Sequence, residues 1–189
     1  KITLVLRNLT FKSINKNDFN KNVFKDIDVF LIRPKLNIFL ELYFIYLYLK
    51  SLIKSYLFIK KKSNFLNFLS LNSLLNFCSN LRETHQFKSV LNSNDYKIFL
   101  TTYEGNAWER LFFYQSKKIC PKIINIGYHF NYHLKHEHSI FRNLNNNFDP
   151  DIILTSGEYS KKKFFQKKFK CKNIINIGTN KYLRNKNLK

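Results

Sequence analysis

The rhythm of apolar and polar positions changes along this chain, and the change divides it. Near the start, Lys1–Leu6 (KITLVL) and Ile27–Ile32 (IDVFLI) are short apolar runs that read as strands. The second stops at Arg33-Pro34, because the residue before proline resists the helical region. Asn8–Lys25, between them, is rich in Asn and Lys and reads as loop or frayed helix. Leu36–Ile59 is the most apolar stretch, and Leu42, Ile45, Leu49, Leu52 and Tyr56 fall on one helical stripe. Asn64–Leu81 keeps helical spacing at Leu66, Leu69, Ser73, Leu74 and Phe77, which predicts one or two further helices. From Tyr96 onward strands and helices alternate. Ile98–Leu100, Lys122–Tyr128, Asp151–Leu154 and Asn173–Ile177 read as strands, Ala107–Ile119 and Tyr159–Phe169 as helices. Each strand is an apolar run rather than an alternation, which predicts a parallel sheet covered on both faces. The fold class expected is α/β: one domain over 1–189, a Rossmann-like, doubly wound parallel sheet with a helical insertion at about 36–92.

The strand ends carry the candidate chemistry. In open α/β sheets ligands bind beyond the carboxyl ends of the strands. After Ile98–Leu100 come Thr101-Thr102-Tyr103-Glu104-Gly105-Asn106 and a helix start. Asn106 with Glu109 three residues later has the spacing of a capping box, so Glu109 has a structural task. Gly105 can supply a positive φ in the turn. Trp108 and Leu111 are expected to pack on the sheet. Glu104 has no such local duty and is the candidate for contact with a ligand, the competing reading being an ion pair with Arg110 or a lysine. The first N–H groups of the helix suit an anion such as phosphate. After the next strand stand His129, His133, His136 and His138, interleaved with Tyr128, Phe130 and Tyr132. Their spacing matches no zinc frame, so no metal is expected. One or two of them can serve in hydrogen bonding or proton transfer. Asp149-Pro150 starts a turn into the third strand, and Thr155-Ser156-Gly157 ends it. Ser156 reads as a helix N-cap or as part of the same rim as Glu104.

Composition changes this picture in three places. The formal charge of +21 points to nucleic acid or an anionic membrane. Lys, however, is the default solvated residue of so Asn/Lys-rich a chain, and the scarcer Arg110 and Arg142 are the more informative cations. Cys78, Cys120 and Cys171 are widely spaced and suit buried thiols in a reducing cytoplasm. The chain opens at Lys1 and holds no Met, which predicts a fragment of a longer protein. Glu41, Lys50 and Lys54 interrupt Leu36–Ile59, so it reads as a core-packed amphipathic helix or as a membrane-surface helix followed by Lys60-Lys61-Lys62, more than as a span.

Four strings in order, TTYEGNAWER, IGYHF with HEHSIFR, DPDIILTSGEYSKK and INIGT, resemble bacterial glycosyltransferases of the GT-B type that build capsule and other surface polysaccharides. The resemblance covers about Tyr96 to Thr179. It implies an N-terminal, acceptor-side domain that binds no cofactor itself, with the nucleotide-sugar donor held by a further domain. It implies a glycan acceptor as partner, a cytoplasmic location peripheral to the membrane's inner face, and no nucleic acid. The family often has Gln-His after the IGY strand, where this chain has His129-Phe130, so His138 is the better match for the family's histidine. The roles implied are Glu104 as catalytic base with His138 as runner-up. Gly105, Asn106, Arg110, His129, Arg142, Thr155, Ser156 and Gly157 are implied as substrate-binding. Two other functions compete: a basic single-stranded nucleic-acid module, weakened by the scarcity of Arg and the lack of an RNA-binding signature, and a membrane-surface scaffold without catalysis.

Overall fold

The computed structural model describes residues 2–7, 27–33, 35–58, 71–130, 139–142, 144, 146–169, 171 and 173–178. Asn8–Lys25, Lys60-Lys61-Lys62, Leu66 and Leu69, the histidines 133, 136 and 138, and the chain from Thr179 lie outside the described residues. The chain forms two compact units, Lys1–Val90 and Leu91–Lys189.

In the first unit, β1 (Ile2–Arg7) and β2 (Ile27–Ile32) pair in parallel, Ile2 opposite Ile27. Helices α1 (Ile38–Phe58) and α2 (Leu71–Asn92) follow. Tyr48 packs on Phe77, and Phe44 on the edge of the exposed His85. Glu41 clasps Arg82 through two hydrogen bonds, 2.7 Å from Nε and 2.6 Å from the second guanidinium nitrogen. The stripe that α1 buries is Phe44, Tyr48 and Leu52, whereas the expected core residues Leu42, Ile45 and Leu49 are exposed. The helix is apolar nearly all round, so apolar spacing did not select the inward arc. Glu41 lies on the inward arc with Phe44 and Tyr48, and its clasp with Arg82 of α2 accompanies their burial. Among the described residues no helix is long and apolar enough to cross a membrane.

The second unit is a four-stranded parallel sheet in the order β3 (Ile98–Thr102), β4 (Ile124–His129), β5 (Ile152–Thr155), β6 (Asn173–Asn176). Helices α3 (Ala107–Ile119) and α4 (Glu158–Gln166) lie between strands. Phe112 and Phe113 of α3 meet Phe99, so they carry the packing expected of Trp108 and Leu111, which are half-buried. Phe164 of α4 meets His129 and joins Tyr103, Phe113, Ile140, Ile153 and Ile174 in the core. Both helices therefore cover the same face. Sequential strand order with crossovers of one hand sends each connection to one side. The opposite face presents Ile98, Leu100, Ile124 and Ile175 at 39–58% exposure, so the described helices of this unit do not wind doubly about its sheet. The architecture shown is α/β with parallel strands in two sheets, compatible with a Rossmann-like fold.

Candidate active site

The carboxyl end of β3 is fixed residue by residue. Tyr103 extends the pairing by one step, its N–H donating to the Tyr128 carbonyl at 2.9 Å. Its ring is wholly buried against Phe113 and Phe169, and its hydroxyl donates to Asp149 Oδ1 at 2.7 Å. Burial, reinforced by the negative Asp149, raises the phenol far above its usual range, so Tyr103 remains a neutral donor. The Tyr103 carbonyl lies 3.0 Å from His129 Nδ1. Only a donor suits a carbonyl oxygen, which assigns the proton to Nδ1.

The turn that follows is pinned from both sides. Glu109 Oε2 accepts the N–H groups of Glu104 at 2.9 Å and Asn106 at 2.8 Å, the backbone half of the expected capping box. Burial raises the Glu109 carboxyl above its usual value against the lowering effect of those two N–H bonds. The Glu104 carbonyl accepts Ser139 Oγ at 2.8 Å. Gly105 has φ +79°, and a Cβ there would fall on the backbone of Ser139 and Ile140. Glycine is thus required twice, for the left-handed backbone and for the close approach of the 139–141 segment. The side chain of Glu104, half-buried, leaves this doubly held backbone at the strand end.

Arg110 ties the surrounding loops together. Its guanidinium pairs with Asp149 at 2.5 Å, and both side chains are under a tenth exposed. The same group donates to the carbonyls of Ser139 and Ile140, each at 3.1 Å, and more weakly to Gly105 at 3.4 Å and Arg142 at 3.5 Å. Burial raises the Asp149 carboxyl, against the opposing pull of the Tyr103 hydroxyl, Arg110 and Lys117. Lys117 in turn donates to the Asp149 carbonyl at 3.0 Å and lies 3.5 Å from Asp151, whose other oxygen accepts Asn125 N–H at 3.0 Å.

The expected site residues therefore separate. Glu104, Asn106, Ser156 and Gly157 are half-buried and Arg142 is exposed, so these are the groups a ligand can reach. Gly105, Arg110, His129 and Thr155 are buried and serve the framework. Thr155 Oγ1 faces the Ile175 carbonyl at 3.5 Å. Ser156 is not the N-cap of α4. Gly157 holds that position in extended backbone, and the Ser156 hydroxyl donates instead to the Phe130 carbonyl at 3.3 Å. The Ser156 N–H donates to the His129 carbonyl at 3.1 Å, which joins the third strand end to the second. His138 lies outside the described residues. Among the described residues no three His, Cys, Asp or Glu side chains gather as metal ligands.

Three contributors escaped sequence reasoning. Asp149 read as a turn starter, yet it anchors Tyr103 and Arg110; the Asp-Pro pair marks the turn and nothing local marks its distant partners. Ser139 stands within the HEHSIFR string with no role assigned to it. Gly127 read as strand interior, but a Cβ there would stand 2.8 Å from Tyr103 Cβ and 3.0 Å from Pro150 Cγ. A glycine within an apolar strand run was the available signal. No family model, curated protein or solved structure matches this chain.

Proposed function

We propose that the Glu104 turn is the acceptor side of a glycosyl-transfer site in a GT-B type enzyme of surface-polysaccharide synthesis. The observation that supports it is a convergence. Arg110 and Asp149 fasten the YEGNAWER turn, the SIFR segment and the DPD turn to one another, so three separate strings of the resemblance share one rim of the sheet. Glu104 stands at that rim on backbone held from both sides.

For an inverting transfer, Glu104 takes the proton of an acceptor hydroxyl as that oxygen attacks the sugar's anomeric carbon. The bond to the nucleotide phosphate breaks, and its electrons leave with the phosphate. A positioned base of this kind contributes about 10²–10⁴-fold. Asn106 binds sugar hydroxyls, Arg142 offsets phosphate charge or holds the acceptor, and His138 is the alternative base. The donor is a nucleotide sugar, which places the reaction in the cytoplasm. Glu104→Gln keeps the side chain's size and removes its basicity. In an enzyme that joins this domain to the donor-binding one, Glu104→Gln is expected to lower sugar transfer by two orders of magnitude or more, roughly the worth of the base. Turnover equal to the parent protein's would remove Glu104 from the mechanism.

A further inference from the structure

Helix α1 carries a second apolar stripe that its partner helix does not cover. Phe39, Leu42, Tyr46, Leu49 and Ile53 recur at alternating steps of three and four, one face of a helix. Each is at least half exposed, Phe39 the most at 81%, and Tyr43 beside them is exposed as well. An apolar patch of this extent marks a contact surface. Two cations belong to the same arc: Lys50, whose Nζ lies over the Tyr46 ring at 5.9 Å, and Lys54 one turn on, both exposed. The helix has a single acid, Glu41, which is turned away and bound to Arg82. The stripe is therefore apolar and aromatic with positive charge and no negative charge.

We infer that this stripe of α1 docks on an anionic membrane surface, lying in its plane. The aliphatic and aromatic side chains enter the boundary between headgroups and acyl chains. Lys50 and Lys54 lay their stems along it and reach the lipid phosphates with their ammonium groups. Charge decides between this occupant and a second copy of the chain. A two-fold pairing of the stripes brings four lysines into one interface with no acid in the arc to offset them, whereas anionic headgroups supply the missing sign. The net charge of +21 adds long-range attraction to the same surface. The inference is independent of any glycosyl-transfer activity.

Vesicle flotation of the whole 189-residue chain tests it, with phosphatidylcholine vesicles, vesicles that also contain phosphatidylglycerol, and low and high salt. Binding is expected to the anionic vesicles and to weaken as salt rises. The double change Phe39→Ser/Tyr46→Ser should lower the affinity roughly tenfold or more, since two large side chains no longer leave water. Lys50→Glu/Lys54→Glu alters only exposed positions and should lower binding to the anionic vesicles while circular dichroism stays unchanged. Anionic-vesicle binding that survives both double changes would overturn the assignment to α1. So would a concentration-dependent dimer, seen by sedimentation and abolished by Phe39→Ser/Tyr46→Ser, in a protein that floats with neither vesicle.

Discussion

Two arginine–carboxylate pairs of nearly equal sequence separation do different work in the two units. Glu41 and Arg82 are 41 residues apart, Arg110 and Asp149 are 39. The first pair is bidentate and about a fifth exposed, and it latches one helix to another. The second is buried, and the same guanidinium also holds carbonyls of the 139–142 segment while its carboxylate receives a tyrosine hydroxyl. A latch in water can be lost at little cost. A buried hub cannot, because each removed partner strands another polar group away from solvent. The unit with the hub is the one that needs loops from distant parts of the sequence held in register at a strand end.

The largest effect expected follows from removing the hub. Arg110→Ala or Asp149→Ala should cost about 3–5 kcal/mol in urea unfolding, against about 0.2–1 kcal/mol for Arg82→Ala. Equal losses would erase the distinction between hub and latch. Gly105→Ala comes next: the left-handed backbone costs about 1–2 kcal/mol for a residue with a side chain, and crowding of Ile140 adds about 1–3 kcal/mol. Loss of hydrogen-exchange protection should be confined to the segments around 103–110 and 139–142; spread into α1 and α2 would break the contrast. Tyr103→Phe removes one buried hydrogen bond while Arg110 still satisfies Asp149, so about 1 kcal/mol is expected.

The smallest effect is a difference in sign with pH. The Arg82 hydrogen bond lowers Glu41 below its usual 4.5, so the latch's contribution is complete above 4.5 and is lost as pH falls through the lowered value. Burial raises Glu109 above 4.5, so its contribution is complete below 4.5 and is lost as pH rises through the raised value. Acidifying to 4.5 should strengthen protection of the 104–109 turn with α1 and α2 unchanged, and acidifying further should weaken protection of α1 and α2 with no further gain in the turn. Parallel loss in both regions would show that the two carboxylates do not respond to their separate surroundings.

Legibility in the sequence followed the same line. The α3 limits, the capping glutamate and the positions of the four strands along the chain were readable, because each depends on residues within a few positions of one another. Asn106 and Glu109 are three apart, and apolar runs bounded by turns suffice for strands. The inward arc of α1 was not readable, since apolar residues lie on nearly all its sides and the α2 residues it packs against, Phe77 and Arg82 among them, are distant in sequence. Asp149 and Ser139 were read without their roles because their partners are 46 and 35 residues away. The helices were expected on both faces of the four-stranded sheet, but apolar strand runs report only that both faces are apolar, not what covers each.

We propose that the rim around Glu104, fixed by the buried hub, receives a glycan. The most direct measurement is amide NMR of the protein titrated with acceptor oligosaccharides drawn from surface polysaccharides. Shifts should concentrate at Glu104–Asn106, Ser139–Arg142 and Ser156–Gly157, should weaken in Asn106→Ala and Arg142→Ala, and should leave α1 and α2 unmoved. Shifts confined to α1 and α2, or none with any oligosaccharide, would contradict it.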